Sequence, residues 1–252
     1  MIAWFRRNPL AAGLWSACAA LLAISLTCGG VLVWQLWIGN AVAAQEHSDE
    51  VRALQQQWKS GRTAAPGNDP RVMAQPDAYG TPFAIMRVPR FGADWIQPIV
   101  QGANLDELAA GIGHAAGSAM PGQVGNFAVA GHRTTHDKPF NLIATLQAGD
   151  LITVETATDT YIYKVTSHEV VQPTDVAVFD PVPGKPGVKP TVAMLTMSSC
   201  HPEFSARERY VVHAVLVGSR TKTGLFGNLV APYGWTANPP TKCSASTKGI
   251  LE

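Results

Sequence analysis

An uncharged, apolar stretch over residues 9–38 constrains this chain more than any other feature. A helix that crosses a bilayer needs about 20 apolar residues, and this stretch is long enough. Arg6 and Arg7 precede it, and acidic residues follow it from Glu46 onward, which predicts a cytoplasmic N-terminus and an extracytoplasmic remainder. The sequence therefore predicts a single-pass protein of the cell membrane, with residues 1–8 in the cytoplasm and membrane lipid around residues 9–38.

A cleaved signal peptide is the alternative, because Ala41-Val-Ala-Ala44 has the small residues that suit a signal peptidase. The apolar core of such a signal is typically about 7–15 residues, shorter than this stretch, so an uncleaved anchor is favoured. A core helix of a soluble domain is a weaker alternative, since no polar face interrupts the run. Trp34 and Trp37 are expected near the outer interface, where indole rings are enriched.

Beyond the anchor, the residue pattern divides the chain into three further segments. Residues 39–80 predict a short extracytoplasmic helix and then a Gly- and Pro-rich linker, which would hold the folded part away from the lipid surface. Over residues 81–219, short apolar runs alternate with turn signals, which favours an all-β barrel or sandwich with short helices. Residues 220–252 form a C-terminal extension in which the apolar positions have no clear period.

Charge and cysteine usage narrow the function. The formal net charge is +1 and no basic stretch occurs, so no nucleic-acid partner is expected. No Cys, His or acidic spacing suits zinc or calcium, and no cofactor motif is present, so neither a metal nor a cofactor is predicted. Of the four cysteines, Cys18 and Cys28 lie in the anchor. Cys200 and Cys243 would face an oxidising exterior, where a disulfide between them is the alternative to a free thiol.

Three chemically suited residues stand at the edges of predicted strands. Asn126-Phe-Ala-Val-Ala-Gly-His132 ends at a histidine, a second apolar run ends at Cys200, and Arg209 opens a third. If the cysteine and arginine strands are neighbours, Cys200 and Arg209 can meet at one end of the pair. A thiol, an imidazole and a guanidinium so placed suit acyl transfer by a cysteine nucleophile. Arg207 is an alternative to Arg209 as the guanidinium of this set, because residues two apart on a strand face the same way.

Two sequence blocks resemble the active-site blocks of a known family. They are Ala130-Gly-His-Arg-Thr-Thr135 and Thr196-Met-Ser-Ser-Cys-His-Pro202, followed by Arg209, and the resemblance to sortases covers roughly residues 82–219. Sortases are membrane-anchored cysteine transpeptidases of Gram-positive bacteria, and these blocks are most like class E, the housekeeping type of high-GC actinobacteria. The resemblance implies an eight-stranded β-barrel. Where the family usually has Thr-Leu-Thr-Thr-Cys, this chain has Thr196-Met-Ser-Ser-Cys200.

The same resemblance implies roles for the residues. Cys200 would attack the threonine carbonyl of a Leu-Ala-x-Thr-Gly or Leu-Pro-x-Thr-Gly sorting signal, giving a thioacyl enzyme. His132 would protonate the leaving glycine amine and then deprotonate the incoming amine, and Arg209 would stabilise the oxyanion. Substrates would be surface proteins with C-terminal sorting signals, and the acceptor would be an amine of a lipid II-type peptidoglycan precursor. Weaker candidates for substrate contacts are Ser198, Ser199, Trp95 and Arg207, and packing in the barrel is the favoured alternative for Trp95.

Other functions remain as alternatives. A class D or pilin-type sortase would share the barrel and the three residues. An L,D-type transpeptidase expects Ser-x-Gly-Cys, and Ser198-Ser-Cys-His201 lacks that glycine. A non-enzymatic, surface-anchored β-domain that binds wall polymer or a protein fits the anchor and the strands, but it leaves the Cys–His–Arg set unexplained.

Overall fold

The computed structural model describes residues 9–60 and 73–222. Its N-terminal part consists of helix α1 (Pro9–Val33), a π-helical turn (Trp34–Ile38) and helix α2 (Gly39–Lys59). Within α1, the 21 residues Gly13–Val33 have a mean hydropathy of 2.1 and are exposed throughout. The described residues thus contain a helix long and apolar enough to cross a membrane, where the sequence predicts the anchor.

Eight strands in the described residues close into a barrel in the order β1-β2-β3-β4-β7-β8-β6-β5. Their bounds are β1 Pro82–Arg87, β2 Ile96–Gln101, β3 Ile112–His114, β4 Gly125–Ala130, β5 Leu151–Glu155, β6 Asp159–Val171, β7 Ala193–His201 and β8 Glu208–Thr221. The connections carry helix α3 (Leu105–Ala109) and the 3-10 turns Pro89–Phe91, Ile143–Thr145 and Val176–Phe179. The predicted eight-stranded barrel with short helices is confirmed.

Period-2 alternation sets the two faces of β7. Leu195 and Met197 are fully buried in the barrel core, together with Phe127 of β4. Burying a side chain of this size contributes about 1.5–3 kcal/mol, so the core determines which face of the strand points inward. Ser198 and Cys200 therefore share the opposite face, at the end of the strand.

Two strand pairings position the residues that the sequence singles out. β4 pairs with β7 in parallel, and Ala130 lies opposite Ser198. β7 pairs with β8 antiparallel, and Cys200 lies opposite Arg209. The predicted meeting of Cys200 and Arg209 at one end of a strand pair is confirmed.

Helix α2 packs on the outside of the barrel. Val51 and Leu54 lie against Ile85 of β1, because the apolar positions at helical spacing form one buried stripe. At the far end of the helix, the Lys222 ammonium lies 4.2 Å from the centroid of the Trp58 ring. The sequence predicts a short helix in this region, and the structure packs that helix on the barrel wall.

Parts of the predicted linker and tail lie outside the described residues. These are residues 61–72 of the linker and residues 223–252 of the C-terminal extension, including Cys243. At the other boundary, β8 continues to Thr221, past the predicted end of the domain at residue 219.

Candidate active site

His132 is placed by the end of β4. The strand ends at Ala130, and the amide of Gly131 donates to the carbonyl of Ser198 at 3.1 Å, so the parallel register continues beyond the strand. A Cβ atom on Gly131 would lie 2.8 Å from the ring of Phe140, so the approach of this buried ring requires glycine here. The chain then enters a loop at His132, whose carbonyl accepts from the amide of Phe140 at 3.0 Å.

Cys200 lies beside His132 on the neighbouring strand. Because Ala130 pairs with Ser198, the same register two residues later brings His132 next to Cys200. Neighbouring strands are about 4.7–4.9 Å apart, and paired residues of parallel strands point to the same face. The Ser199 hydroxyl donates to the Gly131 carbonyl at 2.8 Å and fixes this end of the pair. Cys200 is half-buried, and its thiol is free.

Arg209 brings a cation to the same place. It lies directly opposite Cys200, and cross-strand partners have Cβ atoms about 4.5–5.5 Å apart. Its Nη1 donates to the carbonyls of Ala206 at 2.9 Å and Glu208 at 3.0 Å, which holds the side chain along the β7–β8 connection. Arg207 precedes β8 and is exposed. The strand therefore begins too late for Arg207 to share its face, and the geometry favours Arg209.

Arg133 is a further cation at the site that the sequence reasoning did not single out. It is 8% exposed, and its Nη1 donates to the carbonyl of Cys200 at 3.2 Å. The same nitrogen lies 3.3 Å from Nδ1 of His201, and the guanidinium lies 5.9 Å from the centroid of the Tyr210 ring. Arg133 thus ties the end of β4 to the end of β7. The residue stands in the histidine block, but a sequence pattern does not separate a buried tie from a surface charge.

The surroundings of His132 favour the neutral imidazole. Its ring stacks on that of His136, with centroids 4.6 Å apart. Burial, and after it the charge of His136, lowers the pKa of His132 below the ordinary value for histidine. Its Nε2 atom is buried without a hydrogen-bond partner among the described residues. At neutral pH this ring is therefore mostly unprotonated and able to accept a proton.

A cavity of about 250 Å³ opens over the ends of β4, β7 and β8. Ala130, Ser198 and Arg209 line its floor, and residues 171–179, between β6 and β7, contribute one wall. Most of the lining is apolar, and its charged residues are Arg209 and Asp175. His132 and Cys200 are not among the lining residues, but each follows a lining residue, Ala130 or Ser198, by two positions.

A sortase-domain family model matches residues 86–217. The chain belongs to the sortase family. It is 32% identical to Sortase SrtE1 of Streptomyces coelicolor over 200 residues, which cover 76% of this chain and 54% of that protein. It is 28% identical to Sortase SrtE2 of the same organism over 215 residues, covering 81% and 82% of the two chains. The crystal structure of Sortase E1 from Streptomyces coelicolor with a tripeptide in the active site matches with a TM-score of 0.51 at 37% identity, covering 56% of this chain and 91% of that one.

These matches confirm the resemblance on which the prediction rested, both for the family and for class E. Sortases are cysteine transpeptidases, and Cys200 is present at the strand end where the sequence places the nucleophile. The chain spans about half the length of SrtE1, 54%. The family name therefore does not bring the activity, substrates or partners of the whole SrtE1 protein to this chain.

The four weaker candidates for substrate contacts differ in whether they line the cavity. Ser198 lines the cavity. Ser199 points to the other face of β7, where its hydroxyl binds the Gly131 carbonyl, and Arg207 lies outside the cavity. Trp95 packs edge-on against Phe91, with ring centroids 5.1 Å apart, and lies against the barrel core. A substrate contact by Ser199, Arg207 or Trp95 thus stays a prediction without support from the cavity.

Proposed function

We propose that the protein is a sortase that cleaves a Leu-Ala-x-Thr-Gly-like sorting signal between threonine and glycine. The acyl group would pass to an amine of a lipid II-type peptidoglycan precursor, and the substrates would be surface proteins with C-terminal sorting signals. The observation that carries the proposal is the meeting of His132, Cys200 and Arg209 at the ends of three adjacent strands, beside a mostly apolar cavity.

In the first half of the reaction, Cys200 gives its proton to His132 and attacks the threonine carbonyl carbon. The tetrahedral adduct then breaks the bond to the glycine nitrogen, which takes the proton from His132. Because burial lowers the pKa of His132, its protonated ring is a stronger acid than an exposed imidazolium, which favours this transfer. The products are a thioacyl enzyme and a free glycine amine.

In the second half, the acceptor amine attacks the thioester carbonyl. The neutral ring of His132 takes a proton from this amine, and the carbon–sulfur bond breaks to release Cys200. Arg209 stabilises the oxyanion in both halves. A guanidinium has five N–H donors, and the bonds to the Ala206 and Glu208 carbonyls use Nη1, so donors on other nitrogens can reach the substrate.

The direct test is transpeptidation by the full-length chain in detergent micelles or nanodiscs. With a quenched Leu-Ala-x-Thr-Gly peptide and an amine acceptor, we expect a ligated product and a thioacyl adduct, both detected by mass spectrometry. A matched Leu-Pro-x-Thr-Gly peptide should react more slowly. A clear preference for proline would support a class D or pilin-type enzyme instead, and a folded, reduced protein that reacts with neither peptide would support a binding domain.

The proposal includes a place in the cell. Residues 1–8 would be cytoplasmic, residues 9–38 would span the membrane, residues 39–80 would be the extracytoplasmic helix and linker, residues 81–219 the catalytic barrel and residues 220–252 a C-terminal extension. A membrane-impermeant maleimide should therefore label Cys200 of the Cys243→Ala variant in intact cells, and it should not label the double variant Cys200→Ala/Cys243→Ala. Labelling of Cys200 only after the cells are opened would contradict this orientation.

A further inference from the structure

The start of helix α2 holds the loop that follows His132. The Nδ2 atom of Asn40 donates to the carbonyl of Thr134 at 3.1 Å, and its Oδ1 accepts from the amide of Asp137 at 3.0 Å. One side-chain amide therefore binds the loop at both ends of a four-residue segment. Asn40 is 8% exposed, so water competes little for these two bonds.

The loop has a backbone that needs such support. His136, Asp137 and Lys138 have φ angles of 52°, 60° and 45°. Residues other than glycine adopt this left-handed region rarely, and three in succession persist only where surrounding contacts hold them. Asn40 binds the amide of the middle residue of the three, so it acts where the backbone is least stable on its own.

A second attachment from α2 reaches the same loop. His47, 2% exposed, has its Nδ1 atom 2.9 Å from Oε1 of Gln97 and its Nε2 atom 3.1 Å from the carbonyl of Ala109. Gln97 in turn donates through Nε2 to the carboxylate of Asp137 at 2.6 Å. Nδ1 of His47 also lies 3.5 Å from the Asp137 carboxylate. Helix α2 therefore contacts Asp137 through Asn40 and through His47, the latter both directly and by way of Gln97.

The loop determines what lies against His132. His136 is part of the left-handed segment, and its ring stacks on the His132 ring at 4.6 Å between centroids. A change in the loop backbone would move His136 away from His132 and admit water to the ring. Asn40 thus reaches the imidazole of His132 through the stacked His136 ring and through the backbone at Thr134, two residues after His132.

We propose that Asn40 is a positioning residue for His132, which holds the 134–138 loop so that His136 stays stacked on the His132 ring. Asn40 stands two residues after the π-helical turn that ends the apolar helix, so the same contact ties the active site to the anchor. The inference rests on the proposed sortase activity for its kinetic consequence. The placement of the His132 ring can be measured without that activity.

The kinetic test uses Asn40→Ala in the full-length chain, with Gln45→Ala as the matched control. Gln45 is an exposed amide on the same helix, and its side chain donates to Asp49 of that helix. We expect kcat of Asn40→Ala to fall about 10- to 100-fold, because a small misplacement of a catalytic group is that costly. KM for the peptide should change little, and Gln45→Ala should match the wild type.

The pH profile gives a signature that a merely weakened fold would not produce. Burial and the charge of His136 hold the pKa of His132 down, so a loosened loop lets this pKa rise toward its ordinary value. The acid limb of kcat/KM should then move to higher pH in Asn40→Ala.

Proton NMR of the full-length chain, labelled with ¹³C at histidine, measures the His132 titration directly. The His132 signal is assigned by its loss in His132→Gln, a variant that should also lose about 10²- to 10⁴-fold in kcat if His132 is the acid and base. A His132 titration that stays at the wild-type midpoint in Asn40→Ala would overturn the inference. If the wild type ligates no peptide, the proposed function fails, and this titration still decides the role of Asn40.

Discussion

Replacement of Cys200 by alanine is expected to abolish both the thioacyl adduct and the ligated product. In the described residues Cys200 pairs with Arg209, and the β4–β7 register continued by two residues brings His132 to the level of Cys200. Removing the thiol takes away the atom that is proposed to attack the carbonyl. Ser198 shares the same face two residues earlier, but an unactivated hydroxyl is a much weaker nucleophile than a thiolate. The ligation rate should fall at least about 10³-fold, to the level without enzyme. Mass spectrometry of the intact protein and of the peptide products measures both losses.

Other cysteines of the chain provide the controls. Cys28 is exposed on the apolar helix α1, so Cys28→Ala should ligate peptide at the wild-type rate. Cys243→Ala tests the alternative of a disulfide with Cys200. If activity appears only after reduction in the wild type and without reduction in Cys243→Ala, the disulfide forms and limits the enzyme. Residual ligation by Cys200→Ala at more than a trace would mean that another group is the nucleophile.

The sequence predicted the parts of the site that depend on local pattern. The strand that carries Cys200 is an apolar run with a proline soon after it, and Arg209 opens a second apolar run. The short connection between the two runs predicted their antiparallel meeting. The place of His132 needed a non-local pairing, the parallel one between β4 and β7. Periodicity does not identify strand partners, and the resemblance to sortases supplied that step.

Contacts between segments far apart in the chain could not be predicted in this way. The sequence of helix α2 shows an apolar stripe, but the stripe does not identify β1 as the element on which the helix packs. It also does not predict that Asn40 binds the loop after His132. Trp95 shows the converse case. An aromatic residue near the expected groove suits either a substrate contact or packing in the barrel, and the structure packs Trp95 against Phe91 and the core.

The second large effect is expected at Arg209. Arg209→Ala should lower kcat/KM for the sorting peptide about 10²- to 10³-fold, the usual cost of removing one donor to a developing oxyanion. Arg209→Lys should recover only part of this loss, because an ammonium lacks the planar fork of donors that a guanidinium offers. The measurement is the initial rate of ligation by the full-length chain over a range of peptide concentrations.

Arg207→Ala is the matched control for this prediction. Arg207 has the same chemistry two residues away, but it precedes β8, is exposed and does not line the cavity. Its removal should change kcat/KM no more than a few-fold, because an exposed charge contributes little to a neighbouring site. A large loss in Arg207→Ala together with a small loss in Arg209→Ala would assign the oxyanion to Arg207. The side chain of Arg209 would then serve only to bind the Ala206 and Glu208 carbonyls of the β7–β8 connection.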